Sequence, residues 1–240
     1  MANLTGTPES EDLRDLFDLS SEDDEMIGLK GNDIIDGYIG DDTLYGSEGN
    51  DTVNGGENND SVEGDSGNDQ LLGGGDADGG NDTLDGGTGR DSLYGDPGND
   101  ILFGGRNDDL LDGGDGDDEL YGESGDDTLL GGAGIDTLSG GRNDDILEGE
   151  SGDDILNGGS GEDTFVFSNI DNVGLDTVEN FSFDDGDQIQ IVADGFEIDT
   201  DEIDRFTFDS DSREVLFDDQ AFAVIEGDDE FNPDESIDIV

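Results

Sequence analysis

The chain has 240 residues, with 70 Asp and Glu against seven Lys and Arg, and a formal net charge of −63. Its hydrophobic fraction of 29% is far below the roughly 45 to 50% of ordinary globular proteins, which argues against a conventional large core and disfavours nucleic acid and anionic membrane as partners. Neither cysteine nor histidine occurs, so disulfide frameworks, structural zinc sites, thiol nucleophiles and histidine-based catalysis are excluded. A composition this polar reads as disordered unless cations offset its charge.

The first stretch, residues 1–27, begins MANLTGTPESED without a basic start or an apolar run. No conventional export signal is expected there, and no segment of the chain is apolar enough to span a membrane. Two pairs, Asp15 with Phe17 and Asp24 with Met26, stand nine residues apart without turn glycines. They read as degenerate copies of the nine-residue unit that fills residues 28–168, forming an N-terminal cap that covers an open sheet edge.

Residues 28–168 are a repeat. Aspartates fall at nine-residue steps at Asp33, Asp42, Asp51, Asp60 and Asp69, and after one step of thirteen resume at Asp82, Asp91, Asp100, Asp109, Asp118, Asp127, Asp136, Asp145, Asp154 and Asp163. A four-residue insertion near 73–80 accounts for the longer step. Two residues after every one of these fifteen aspartates comes a large apolar residue: Ile35, Leu44, Val53, Val62, Leu71, Leu84, Leu93, Leu102, Leu111, Leu120, Leu129, Leu138, Leu147, Leu156 and Phe165. That phase predicts core positions.

Five residues before the Asp stands glycine in fourteen copies, Ala77 being the exception, and two before it glycine in twelve and Asn58, Asn107 and Asn143 in three. Interchange of Gly with Asn predicts a left-handed backbone. Asn or Asp directly precedes the Asp in twelve copies, which suits a turn closed by side-chain bonds to the local backbone. Six residues are expected to turn and three to extend, with two nonapeptides making one circuit of 18 residues and stacked circuits forming two facing parallel sheets about 4.8 Å per rung. The recurrence of GGRNDDLLDG (104–113) as GGRNDDILEG (140–149), 36 residues on, fits two such circuits.

Residues 169–240 change character, with sparse glycine and strands expected within TFVFS (164–168), DTVENFSF (176–183), DQIQIV (187–192), RFTF (205–208), EVLF (214–217) and AFAVIE (221–226). Turns are expected at 209–212 and 218–220. This region forms a β-rich C-terminal cap.

The consensus is GGxGxDxUx, with U large and apolar, and stretches such as GGAGIDTLS (131–139) and GGSGEDTFV (158–166) resemble the RTX, or haemolysin-type, calcium-binding repeats of secreted bacterial proteins. The C-terminal phrases DTVENF, GDQIQI and LFDDQAFAVIEG resemble the same family, and the resemblance covers roughly residues 28–240. It implies an all-β fold, a calcium-stabilised parallel β-roll, with metal held in the turns by the fifteen aspartates Asp33 to Asp163. It also implies that the turn with the insertion before Asp82 differs in binding. The terminal Asp238, Ile239 and Val240 are similar to the uncleaved signal of type I secretion substrates, whose export machinery is then a partner; they read equally as a last edge strand.

Calcium suits such turns physically. Carboxylates stacked one rung apart repel by about 3.5 kcal/mol per pair at an effective dielectric near 20, against about 1.5 to 3 for burying one Leu. Calcium accepts six to eight oxygens in flexible geometry, so paired carboxylates and turn carbonyls satisfy it, whereas magnesium demands a tighter octahedron. About ten ions are expected. The function expected is a secreted or cell-surface calcium-binding structural protein without catalysis, its surface or polysaccharide partner unnamed. The alternative is an accessory or stand-alone module of a polysaccharide-modifying enzyme similar to alginate epimerases, with Tyr45, Tyr94 and Tyr121 sharing one repeat position. A protease of the HExxH type and a Ser-His lipase both fail for want of histidine.

Overall fold

The computed structural model describes residues 3–6, 23–75, 79–168, 174–192, 206–209, 213–217, 220–227 and 237–239. Asp15, Phe17 and Ala77 lie outside these residues. After each Asp the side chains alternate out, in, out, in, and the chain turns; the Ile101–Arg106 strand shows it, with Leu102 and Gly104 inward and Ile101 and Phe103 outward. One face of so short a strand carries a single large side chain, so it is stable only when stacked on copies of itself.

Successive strands alternate between two sheets. Asn3–Thr5, Glu25–Lys30 and Thr43–Glu48 begin one that grows to thirteen strands, while Ile34–Asp36, Thr52–Asn54 and Gln70–Leu72 begin another of ten. Pairing is parallel at a step of 18, Leu102 beside Leu120 and Leu120 beside Leu138 in one sheet, Leu111 beside Leu129 and Leu129 beside Leu147 in the other. The described part is therefore an all-β parallel roll. All fifteen expected core residues are at most 1% exposed, and they form two facing apolar files.

The balance of turn and strand differs from expectation. Most repeats pair over six residues rather than three: Gly105 and Arg106 pair with Gly87 and Thr88 on one side and with Glu123 and Ser124 on the other. Superimposed turns present their own peptide groups sideways, so the ladder runs on through them. The Asn positions are left-handed as expected, with φ of 86° at Asn58, 74° at Asn107 and 75° at Asn143.

The insertion leaves the register intact. Val62 pairs with Leu84 and Leu71 with Leu93 across 22 residues, so the longer step does not shift either ladder. Gly73, not residue 77, takes the place of the glycine that precedes the other aspartates. Beyond residue 168 the winding goes on: Thr177–Glu179 pair with Ile155–Asn157, Gln188–Ile191 with Thr164–Phe167, and Ile237–Ile239 with Ile189–Ile191. The thirteen-stranded sheet then reverses, with Glu214–Phe217 antiparallel to Gln220–Gly227 and Phe206–Asp209 antiparallel to Glu214–Phe217. Aromatic rings replace leucines at this end, Phe165 against Phe181 at 6.0 Å and Phe167 against Phe222 at 5.1 Å.

Stacking leaves no room at the turn apex. Gly116 has φ of 151°, and a Cβ there would fall 1.4 Å from the carbonyl oxygen of Gly98. Gly116→Ala is expected to cost upward of about 3 kcal/mol, because strain adds to displacement of a neighbouring coil. Gly116→Asn is expected to be milder, since Asn107 and Asn143 hold the equivalent place at φ near 75°. Urea unfolding of both variants in calcium checks this; a loss below about 1 kcal/mol for Gly116→Ala would contradict the steric account.

Candidate metal centre

The fifteen aspartates form two files on opposite edges of the roll, and each file is a hydrogen-bonded chain. In one, the N–H groups of Asp33, Asp51, Asp69, Asp91, Asp109, Asp127 and Asp145 donate to Oδ1 of the next member, ending at Asp163. In the other, Asp42, Asp60, Asp82, Asp100, Asp118 and Asp136 do the same, ending at Asp154. The distances at the centre are 2.7 Å from Asp100 to Asp118 and 2.8 Å from Asp109 to Asp127. Every carboxylate thus clamps the coil before its own.

The second oxygen is different. Oδ2 of Asp42, Asp51, Asp60, Asp69, Asp82, Asp91, Asp100, Asp109, Asp118, Asp127, Asp136, Asp145 and Asp154 is buried without a hydrogen-bond partner. A buried charged oxygen with no partner costs several kcal/mol, so a row of thirteen calls for a ligand. The inward glycine of the preceding strand leaves space beside that oxygen. A Cβ on Gly113 would fall 2.6 Å from Asp118 Oδ2 and 2.6 Å from the carbonyl oxygen of Gly131, one coil further on. The same pair of oxygens, a carboxylate from one turn and a carbonyl from the next, flanks the inward glycine at twelve positions from Gly28 to Gly131. Six lie on each edge. The turn with the insertion is among them, since a Cβ on Gly73 would meet Asp82 Oδ2 and the carbonyl oxygen of Gly95 in the same way. At Gly73 this turn presents the same two oxygens as the rest, while residues 76–78 of it lie outside the described residues.

Burial pushes these carboxyls up, against the N–H bond that each accepts. Asp100 rises to about 8, with the charges of Asp82 and Asp118 adding to burial. Asp109 and Asp145 also rise to about 8 and Asp127 to about 7. The ionised form is therefore held under stress that a cation relieves.

The clamp chain extends beyond the predicted residues. Asp24 N–H donates to Asp42, Asp154 to Asp176 and Asp163 to Asp187. The pattern that betrays the last two is in the sequence: Asp176-Thr177-Val178 and Asp187-Gln188-Ile189 repeat Asp-x-U, after steps of 13 and 11 rather than nine. The cradle does not extend with them. Four residues after Asp163 stands buried Phe167 where earlier repeats have glycine, and Asp187 Oδ2 accepts the N–H of Ser182 at 2.7 Å. Protein atoms satisfy this final carboxylate.

The residue before each Asp builds a second ladder of opposite direction. Asn50 N–H donates to Asn32 Oδ1, Asn68 to Asn50, Asn99 to Asn81 and Asp117 to Asn99. The expected side-chain bonds to the local backbone are instead bonds between coils, because the next turn lies directly above. Tyr45 and Tyr121 face outward on one sheet and Tyr94 on the other, so the three tyrosines do not converge.

The donor set is oxygen alone, charged carboxylate plus neutral carbonyl, and among the described residues no three carboxylates converge. Most ligands must then be carbonyls in an adaptable cage, which fits calcium better than magnesium and excludes the nitrogen and sulfur chemistry of zinc. The model of the RTX calcium-binding nonapeptide repeat (four copies) matches residues 20–53, 45–79, 76–111, 95–129, 106–138 and 130–165. No curated protein matches the chain. The repeats bind calcium, and the parallel roll, the repeat pattern and the matched span together place this chain in the RTX calcium-binding repeat family.

Proposed function

We propose that the fifteen aspartates Asp33 to Asp163 hold calcium between successive coils, and that the chain is a secreted structural element which becomes a stiff acidic rod on meeting extracellular calcium. The observation that carries this is the buried, partnerless Oδ2 facing a carbonyl from the next coil. Twelve such cradles support an occupancy near the ten ions expected from the sequence, and twelve would reduce the net charge of −63 to about −39. Export by type I machinery, which the family resemblance implies, fits a module whose calcium demand keeps it unfolded in a calcium-poor cytosol. The role is without catalysis: the outward tyrosines are scattered over two sheets, and the buried carboxylates are committed to the coil-to-coil clamp.

In excess EGTA the chain is expected to lose its β-sheet circular dichroism and to regain it cooperatively when calcium is added, in the millimolar range typical of extracellular modules. An unchanged spectrum in EGTA would sink the proposal.

Replacement of Asp127 by Asn is expected to remove one or two ions and to expose amides near Asp109 and Asp145, its neighbours in the file. Calcium counting by native mass spectrometry with hydrogen exchange tests it; equal loss of protection on both edges would contradict the pairing.

Protons compete with calcium for the same oxygens. The folded carboxyls lie near 6 to 8 against 3.8 unfolded, so protonation favours the calcium-free roll; that contribution is present below about pH 4 and lost as pH rises through about 6 to 8. Without calcium, β signal is expected to grow on acidification. With calcium, the midpoint of folding is expected at higher metal concentration at pH about 6 than at pH about 8. A midpoint that does not move would exclude these carboxylates as ligands.

A further inference from the structure

The two edges of the roll differ in charge. Lys30, Arg90, Arg106 and Arg142 all lie in turns of one edge, and among the described residues the turns of the other edge carry no base. Lys30 pairs with Glu48 and Arg90 with Asp108; Arg106 and Arg142, both exposed, join no ion pair among the described residues. They come from the repeated GGRND turns, and the ladder sets them two rungs apart with Ser124 between them. This base, hydroxyl, base row spans about 9.6 Å at the spacing of paired strands.

The same two coils carry a complementary row on the opposite edge. There Asp117, Ile135 and Asp153 succeed one another at steps of 18, all three exposed. Ile135 is 58% exposed, the highest value among the large hydrophobic residues described. Asp117 and Asp153 use Oδ1 to accept the N–H groups of Ile135 and Leu175, which fixes the carboxylates in place and leaves Oδ2 for another partner. Arg106 precedes Asp117 by 11 residues and Arg142 precedes Asp153 by 11, so both rows have one pitch and one height.

We propose that the calcium-loaded protein binds a second copy of itself side by side, Arg106 and Arg142 of one copy facing Asp117 and Asp153 of the next, with Ile135 covered at the centre. Pure translation brings the rows together, so the contact is heterologous and does not close: it builds an open row of parallel rods. Two exposed ion pairs make a weak contact that salt weakens further. The remaining acidic surface does not forbid it, because at physiological ionic strength a Debye length of about 8 Å confines repulsion to groups near the contact. The association needs the folded roll and so rests on the calcium-dependent folding proposed above.

Analytical ultracentrifugation in calcium, with circular dichroism on the same samples, tests it. The unmodified chain is expected to form a concentration-dependent series of oligomers. Arg106→Glu with Arg142→Glu, and separately Asp117→Arg with Asp153→Arg, are each expected to be folded and monomeric; Arg90 already occupies the position equivalent to Asp117. An equimolar mixture of the two variants is expected to restore association, because the intact acidic edge of one meets the intact basic edge of the other and the two reversed edges complement each other in turn. A folded, unmodified chain that stays monomeric, or variants that fail to pair when mixed, would overturn the proposal. Absence of calcium-induced β signal in the unmodified chain would instead count against the folding reading.

Discussion

Each repeat aspartate divides its two oxygens between different tasks, and the rest of the roll depends on that division. Oδ1 receives the N–H of the aspartate one coil earlier, which sets the register of the turn. Oδ2 is left buried beside a carbonyl of the following coil. On the proposed reading, one carboxylate binds backward through a hydrogen bond and would bind forward through an ion. Neither half suffices alone, since the hydrogen bonds bring like charges together and the ions have no site until the turns stack.

This division explains the composition. Each coil of 18 residues buries only two large apolar side chains, little to set against the ordering of its backbone. Calcium held between the coils, as proposed, would add what apolar burial does not, as in other small domains whose binding energy is their folding energy. The second inward position of these strands is glycine because a Cβ there would crowd the Asp Oδ2 and the carbonyl of the next coil. Where Phe167 takes that position the apolar core widens, and the last carboxylate, Asp187, is closed by the N–H of Ser182. The second inward position shifts there from glycine to a buried aromatic ring.

Much of this was legible in the sequence because one short period repeats so often. The beat of Asp33 to Asp163, the inward file from Ile35 to Phe165 and the left-handed place shared by Gly and Asn58, Asn107 and Asn143 all reappear in the structure. What the sequence concealed depends on stacking. The turn residues Gly105 and Arg106 extend the ladder only because identical turns lie above and below, and Asn50 bonds to Asn32 rather than to its own turn for the same reason. Strict counting hid the equivalence of Gly73 to the other inward glycines, and unequal steps hid Asp176 and Asp187. Period locates members of a file only while loop lengths are constant; a parallel ladder tolerates any loop that returns in register.

The most direct test of the account is an anomalous difference map from crystals grown with calcium or a heavier lanthanide in its place. It is expected to show two straight files of peaks, one along each edge, each peak between an aspartate Oδ2 and a glycine carbonyl of the next coil, from the Gly28 cradle to the Gly131 cradle. Peaks confined to the outer acidic surface, with the buried Oδ2 row bare, would contradict it.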